Sequence, residues 1–279
     1  MTHARFSSCL ASVLVIGSVW FLVGPWRAEA VPSDAIIAAW RFEGKGNQIE
    51  DTEGKSIHGT IQGNAKRVPG VDGNGLQFDG QKDLFAIPDS AFINTGGPYT
   101  DRTITALFFV EDANESGRKQ TIFEEGGRTR GLVLYVFDGE AWVGGWNRAE
   151  YNWRGAWISA PIESKTWYHI ALVLRNAGNK VEKDRFEMWL DGELIAKEPG
   201  GQLFSHGDDI GIGAVNQNTV FHDEDGAGTN IHHFEGIIDE VWMYRAALSE
   251  KELRDQARNY LAVRAAGKLA TRWGALKAR

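Results

Sequence analysis

Several groups of side chains in this sequence have the types and spacing to do chemistry. The aromatic run Trp142, Trp146, Tyr151, Trp153 and Trp157 is interleaved with Asn147, Glu150 and Asn152. Indole faces pack on the C–H face of a sugar ring while amides and acids hydrogen-bond its hydroxyls, so the run is a candidate ligand surface. Tryptophan is usually largely buried, and core packing of about half of these rings is the competing expectation. Alternation along a strand places Trp142 and Trp146 on one face. A second group is the polar loop His222-Asp223-Glu224-Asp225-Gly226-Ala227-Gly228, followed by His232 and His233. Counting from Asp223, the twelfth residue is Phe234 instead of Glu and glycine comes fourth instead of sixth, so an EF-hand calcium loop is excluded. The histidine spacing matches no compact zinc pattern, which makes a solvated surface loop the expectation and metal binding the lesser alternative.

The acid pair Asp239-Glu240 lies inside an apolar stretch, Gly236 to Tyr244. Strict alternation puts Ile237, Asp239, Val241 and Met243 on one face and Ile238, Glu240, Trp242 and Tyr244 on the other. Both faces are then mostly covered, and Asp239 requires a cation or hydrogen-bond donors to meet it. A retaining glycosidase needs two carboxylates about 5–5.5 Å apart. Asp239 and Glu240 fall on opposite faces, and Glu187 and Asp191 lie too far apart along one strand. With no nucleophilic serine, cysteine or metal-hydrolase motif, catalysis is the minority reading. His169, within Trp167-Tyr168-His169, reads as a packing residue.

Short runs rich in β-branched and aromatic residues must position these groups: 36–42, 104–110, 131–137, 168–174 and 186–191. Glycine-rich turns separate them, and Asp138-Gly139 and Asp191-Gly192 are tight-hairpin signals. No helical period persists before Ser249, where Ser249 and Glu252 form a capping box for a short helix. This pattern predicts an all-β sandwich or barrel without internal repeats.

Arg5, the apolar run 10–23 and Ala28-Glu29-Ala30 read as a signal peptide removed before Val31, with an uncleaved anchor as the rival. The single cysteine, Cys9, lies within that leader, so the exported body, 31–260, has no disulfide available to it. The formal net charge of −7 argues against nucleic acid and is compatible with a bound cation. Residues 261–279 form a basic tail carrying Arg264, Lys268, Arg272, Lys277 and Arg279 without an acid.

Ordered motifs give a resemblance. Ala39-Trp40-Arg41-Phe42-Glu43, Gly75-Leu76-Gln77-Phe78-Asp79-Gly80, Thr166-Trp167-Tyr168-His169-Ile170-Ala171-Leu172-Val173, Trp189-Leu190-Asp191-Gly192-Glu193 and the closing segment 234–253 follow one another across 36–257. In this order they resemble the LamG-like jelly-roll domains of the concanavalin A-like lectin and glucanase superfamily. The resemblance implies a concanavalin A-like jelly-roll sandwich of two antiparallel sheets with a short C-terminal helix. It further implies a structural calcium ion held by Asp239, Asp79 and Glu43, and binding of glycans or proteins outside the cell. The glucanase-type pattern E-x-D-x-x-E is absent. The expectation is an exported, non-catalytic module that binds an extracellular or cell-surface polysaccharide or glycoprotein, with no nucleic acid partner and no stable membrane span after cleavage. A protein–protein adhesion module without a sugar site is the alternative, and a glycan hydrolase the lesser one.

Overall fold

The computed structural model describes residues 31–224, 226–260 and 262. The leader 1–30 and the basic tail, apart from Ala262, lie outside the described residues, so the expectations placed on them are not addressed by the structure. Among the described residues no helix is long and apolar enough to cross a membrane.

The chain forms two antiparallel sheets of eight strands each, the jelly-roll arrangement expected from the sequence. The first sheet runs Glu193–Gly200, Glu182–Leu190, Trp167–Leu174, Arg102–Val110, Glu235–Tyr244, Asn74–Asp79 and Lys66–Pro69. Ile36–Trp40 joins it beside the second half of Glu235–Tyr244, the closing strand. The second sheet runs Trp153–Pro161, Glu140–Asn147, Arg130–Phe137, Gln120–Gly126, Ile210–Ile212, Leu84–Ile87, Gly59–Gln62 and Gln48–Ile49.

Period-two patterning builds the layers. In Arg130–Phe137, Leu132, Leu134 and Val136 enter the core between the sheets, whereas Val133 and Tyr135 join a separate cluster on the outer face of the second sheet. Phe85 anchors the core, meeting Trp40 at 6.4 Å and Phe42 at 5.8 Å edge to face. The Trp40 indole donates to Ile57 O at 2.8 Å, so this fully buried ring leaves no orphaned donor. Both tight hairpins form as predicted, with left-handed Asp138-Gly139 and Asp191-Gly192.

The helix, 250–260, begins at the predicted capping box. Ser249 N–H donates to Glu252 Oε2 at 2.7 Å, and Glu252 N–H donates to Ser249 Oγ at 3.3 Å. Leu253 packs with Ala171, Val173, Trp189 and Tyr244 on the outer face of the first sheet.

Strict alternation fails in the closing strand. Glu240 is left-handed (φ 47°), and the register against Arg102–Val110 slips between Asp239 and Trp242. The extra residue sends Ile238, Val241 and Met243 together into the core and leaves Trp242 and Tyr244 outside, in place of the grouping alternation predicts. The bulge sits where the strand changes partner: 235–238 pair with Asn74–Asp79, and 241–244 with Ile36–Trp40. Asp239 Oδ2 accepts from the N–H groups of Val71 (2.8 Å) and Asp72 (3.3 Å), and its Oδ1 from Glu240 N–H (2.8 Å). Glu240 accepts from Arg41 Nε (2.8 Å), Trp242 Nε1 (2.9 Å) and the Tyr260 hydroxyl (2.9 Å). Burial pushes the Asp239 carboxyl up to about 7 against the pull of those N–H groups.

His169 sits under the helix, 1% exposed and stacked 6.1 Å from Tyr260. Burial holds its pKa down at about 4. A histidine depressed in the folded state contributes stability that is complete above its unfolded pKa and is lost as pH falls from about 6.5 towards 4. Urea unfolding at pH 7 and pH 5 should therefore show about 2 kcal/mol less stability at pH 5 from this group. His169→Leu should narrow that gap by about the same amount; an unchanged gap would refute the assignment.

Candidate ligand-binding face

The outer face of the second sheet is built by three neighbouring strands in register. Tyr135, Trp142 and Ser159 form one row across Arg130–Phe137, Glu140–Asn147 and Trp153–Pro161. Val133, Gly144 and Trp157 form the next. Trp157 lies flat over the sheet because glycines lie beneath it. A Cβ on Gly144 would stand 1.9 Å from Trp157 Cζ3, and one on Gly155 (φ 145°) would stand 2.4 Å from Nε1. Trp146, fully buried, stacks on Trp157 at 5.9 Å with 20° between planes, and its indole donates to Gly127 O at 2.9 Å. Trp157 is itself partly exposed.

Trp142 occupies the other end of the face. It stacks on His222 at 4.3 Å and on Tyr135 at 5.9 Å, and the Tyr135 hydroxyl bonds His222 Nδ1 at 2.8 Å. Burial lowers the His222 pKa and raises that of Tyr135 well above its ordinary value, each shift favouring the uncharged form. Polar groups border the rings: Arg154 is paired with Glu224 at 3.0 Å, and the Ser159 hydroxyl donates to Glu140 at 3.2 Å. A partly exposed aromatic platform edged by charged and hydroxyl groups can hold a flat, hydroxyl-rich ring.

The aromatic residues singled out in the sequence divide. Trp142, Trp146 and Trp157 come together as described. Trp153 does not: the register between Gly145 and Asn147 slips against Ala156 and Trp153, and this bulge turns Trp153 into the core, edge to face with Phe186 at 5.9 Å. Tyr151 packs near Phe204 at 6.0 Å and accepts from Gln202 Nε2 at 2.7 Å, away from the platform. Sequence reasoning missed Tyr135 and the supporting Gly144 and Gly155. The glycines within the aromatic run were the available signal, since only a residue without a side chain lets an indole lie on the backbone.

The acidic loop resolves into ion pairs. Asp223 binds Lys119 Nζ at 2.7 Å, Glu224 binds Arg154, and Gly226 O accepts from Arg128 at 3.5 Å. Asp225 lies outside the described residues. His232 packs edge-on against Phe221 at 5.0 Å, while His233 bonds the carbonyls of Asp83 (3.2 Å) and Asn230 (3.1 Å). Among the described residues no group of three or more His, Cys, Asp or Glu side chains could hold a metal ion.

The calcium ligand set also separates. Glu43 accepts from Asn74 N–H (2.7 Å) and Asn74 Nδ2 (2.8 Å) at one end of Asn74–Asp79. Asp79, at the opposite end, accepts from the N–H groups of Gln81 (2.9 Å), Lys82 (3.0 Å) and Asp83 (3.3 Å). Together with Asp239, these carboxylates face N–H donors, the reverse of what a cation requires, so the three do not fit a shared calcium ion.

A family model described as the concanavalin A-like lectin and glucanase superfamily matches residues 79–254. The chain belongs to that superfamily. No curated protein sequence matches it. Solved structures share the fold at low identity. The binding domain of Paraclostridial Mosquitocidal Protein 1 is 14% identical with a TM-score of 0.61, covering 82% of this chain and 53% of that one. The receptor-binding domain of botulinum neurotoxin D is 12% identical with a TM-score of 0.60, covering 81% and 53%. Domain 4 of an extracellular arabinanase from Geobacillus stearothermophilus, solved with arabinotriose, is 16% identical with a TM-score of 0.58, covering 80% and 98%. The chain thus spans about half the length of the toxin domains.

The division of the tryptophans is directly measurable. Trp153→Ala opens the core and should cost about 3–5 kcal/mol in urea unfolding, whereas Trp157→Ala on the outer face should cost roughly 1–2 kcal/mol. A reversed order would refute the placement of the two rings.

Proposed function

We propose that this superfamily member is an exported, non-catalytic module that binds an extracellular glycan through the outer face of its second sheet. The observation that carries the reading is Trp157, held flat over Gly144 and Gly155 and partly exposed beside Trp142 and His222. A pyranose or furanose ring stacks on such an indole, and Arg154, Glu224, Ser159 and Glu140 stand at its margin to meet hydroxyls. The acids there are already engaged, Glu224 by Arg154 and Glu140 by Ser159, which suits recognition better than acid–base chemistry. The arabinotriose complex of a domain with the same fold supports the ligand class.

A second reading, protein adhesion without a sugar site, is favoured by Leu194 and Ile195, each 39% exposed on the strand Glu193–Gly200 at the margin of the first sheet. The two readings separate in one experiment. Arabinotriose and a panel of neutral oligosaccharides, titrated by calorimetry with tryptophan fluorescence as a second readout, should bind the wild-type protein. Trp157→Ala should lose at least tenfold in affinity while keeping its circular dichroism. Affinity unchanged in a folded Trp157→Ala variant, or no binding across the panel, would overturn the glycan reading.

A further inference from the structure

We propose that the buried His206–Glu125 pair is a proton-held latch that fixes the Trp146–Trp157 platform and loosens it as pH rises. Its consequence for ligand binding rests on the glycan reading of that face; the latch itself does not.

His206 and Glu125 side chains are 5% and 1% exposed. The His206 ring has Nδ1 2.9 Å from Phe204 O and Nε2 2.9 Å from Glu125 Oε2. A backbone carbonyl only accepts, so Nδ1 carries hydrogen. The Nε2 contact then requires a second proton, on the imidazole or on the carboxyl. A neutral imidazole beside a carboxylate would set a lone pair against a buried negative charge. Glu125 Oε1 has no hydrogen-bond partner among the described residues to absorb that charge. The pair is therefore intact only while it shares one proton.

The charges around it come from every neighbouring element. Glu124 adjoins Glu125 on Gln120–Gly126, and Arg130 opens the next strand. Arg102 faces Glu125 from the first sheet, its guanidinium 3.9 Å from the centre of the Tyr99 ring. Asp208 belongs to the loop of His206, with Asp89 and Asp209 beyond it. Burial pulls the His206 pKa down, and the Glu125 charge and hydrogen bond with the Phe204 carbonyl overcome it, leaving the pKa raised. A cavity of about 210 Å³ bordered by Arg128, Thr129, Arg130, His206 and Asp208 gives solvent a route for proton exchange.

The connection to the platform is short. Glu125 leads through Gly126 (φ 123°) to Gly127, whose carbonyl accepts the Trp146 indole N–H at 2.9 Å and whose N–H donates to Arg130 O at 2.8 Å. Trp146 lies against Trp157. His206 N–H also donates to Asn94 O at 2.9 Å, so the pair ties this hairpin to the loop of Asn94. A raised histidine contributes stability that is complete below about 6.5 and is lost as pH climbs through the folded pKa. The platform is accordingly set below the folded pKa of the pair and released as pH climbs past it.

The full chain should be titrated by NMR from pH 6 to 9 without ligand, following the His206 ring and the Trp146 indole N–H resonance. Both should move with one midpoint above 6.5, and Glu125→Gln should lower the two together. A Trp146 resonance that stays constant while His206 titrates, or a His206 midpoint at or below 6.5, would overturn the latch. The wild-type titration decides the matter even where Glu125→Gln fails to fold. Separately, arabinotriose affinity should fall several-fold from pH 6 to pH 9 in wild type and stay level in His206→Gln. Coupled resonances without arabinotriose binding at pH 6 would sustain the latch and count against the glycan reading.

Discussion

A closing strand that changes partner halfway along its length leaves backbone N–H groups at the junction facing a dry interior. An unpaired buried N–H costs about 1–3 kcal/mol, so the junction needs an acceptor supplied from the side. Asp239 is that acceptor, joining the turn at Val71-Asp72 to the bulge at Glu240. The same bulge presents Glu240 to Arg41, Trp242 and Tyr260, and so fixes where the helix lies on the first sheet. Asp239 thus satisfies backbone N–H groups while Glu240 meets side-chain donors, and the closing of the sandwich and the docking of the helix both rest on this acid pair.

The outer face of the second sheet follows a different logic. Here the sheet needs no cover for its backbone, because neighbouring strands pair it, and side chains alone set the surface. Glycines at 144 and 155 let one indole lie on the backbone, and Trp146 fills the space beside it. The loop carrying His222, Asp223 and Glu224 closes one side through charges from Lys119 and Arg154. Superfamily membership gives the scaffold, while these residues give the face its chemistry.

Much of this was legible in the residues. Period-two burial in Arg130–Phe137, the left-handed Asp-Gly hairpins and the Ser249–Glu252 cap are local signals, and each formed as read. The failures share one cause. The residues after Asp239 were assigned by counting alternate positions and Trp153 was grouped with its neighbours in the aromatic run, and in both places a β-bulge adds one residue and reverses the face. A bulge is set by the neighbouring strand, which a single strand's sequence does not contain. Glu43 and Asp79 meet N–H groups at opposite ends of the strand Asn74–Asp79, a placement set by loop packing that spacing in the sequence does not contain.

Local composition thus determined the strand-rich character, the hairpins, the helix start and the membership of an aromatic group around residue 142. Those depend on interactions within a few residues, where propensity and alternation act. Tertiary structure decided which tryptophans face outward, what meets each buried acid, and that Glu125, His206 and Trp146 are linked through one hairpin. These depend on strand register and loop crossings between residues distant in the chain, whose contacts form only when the two sheets close.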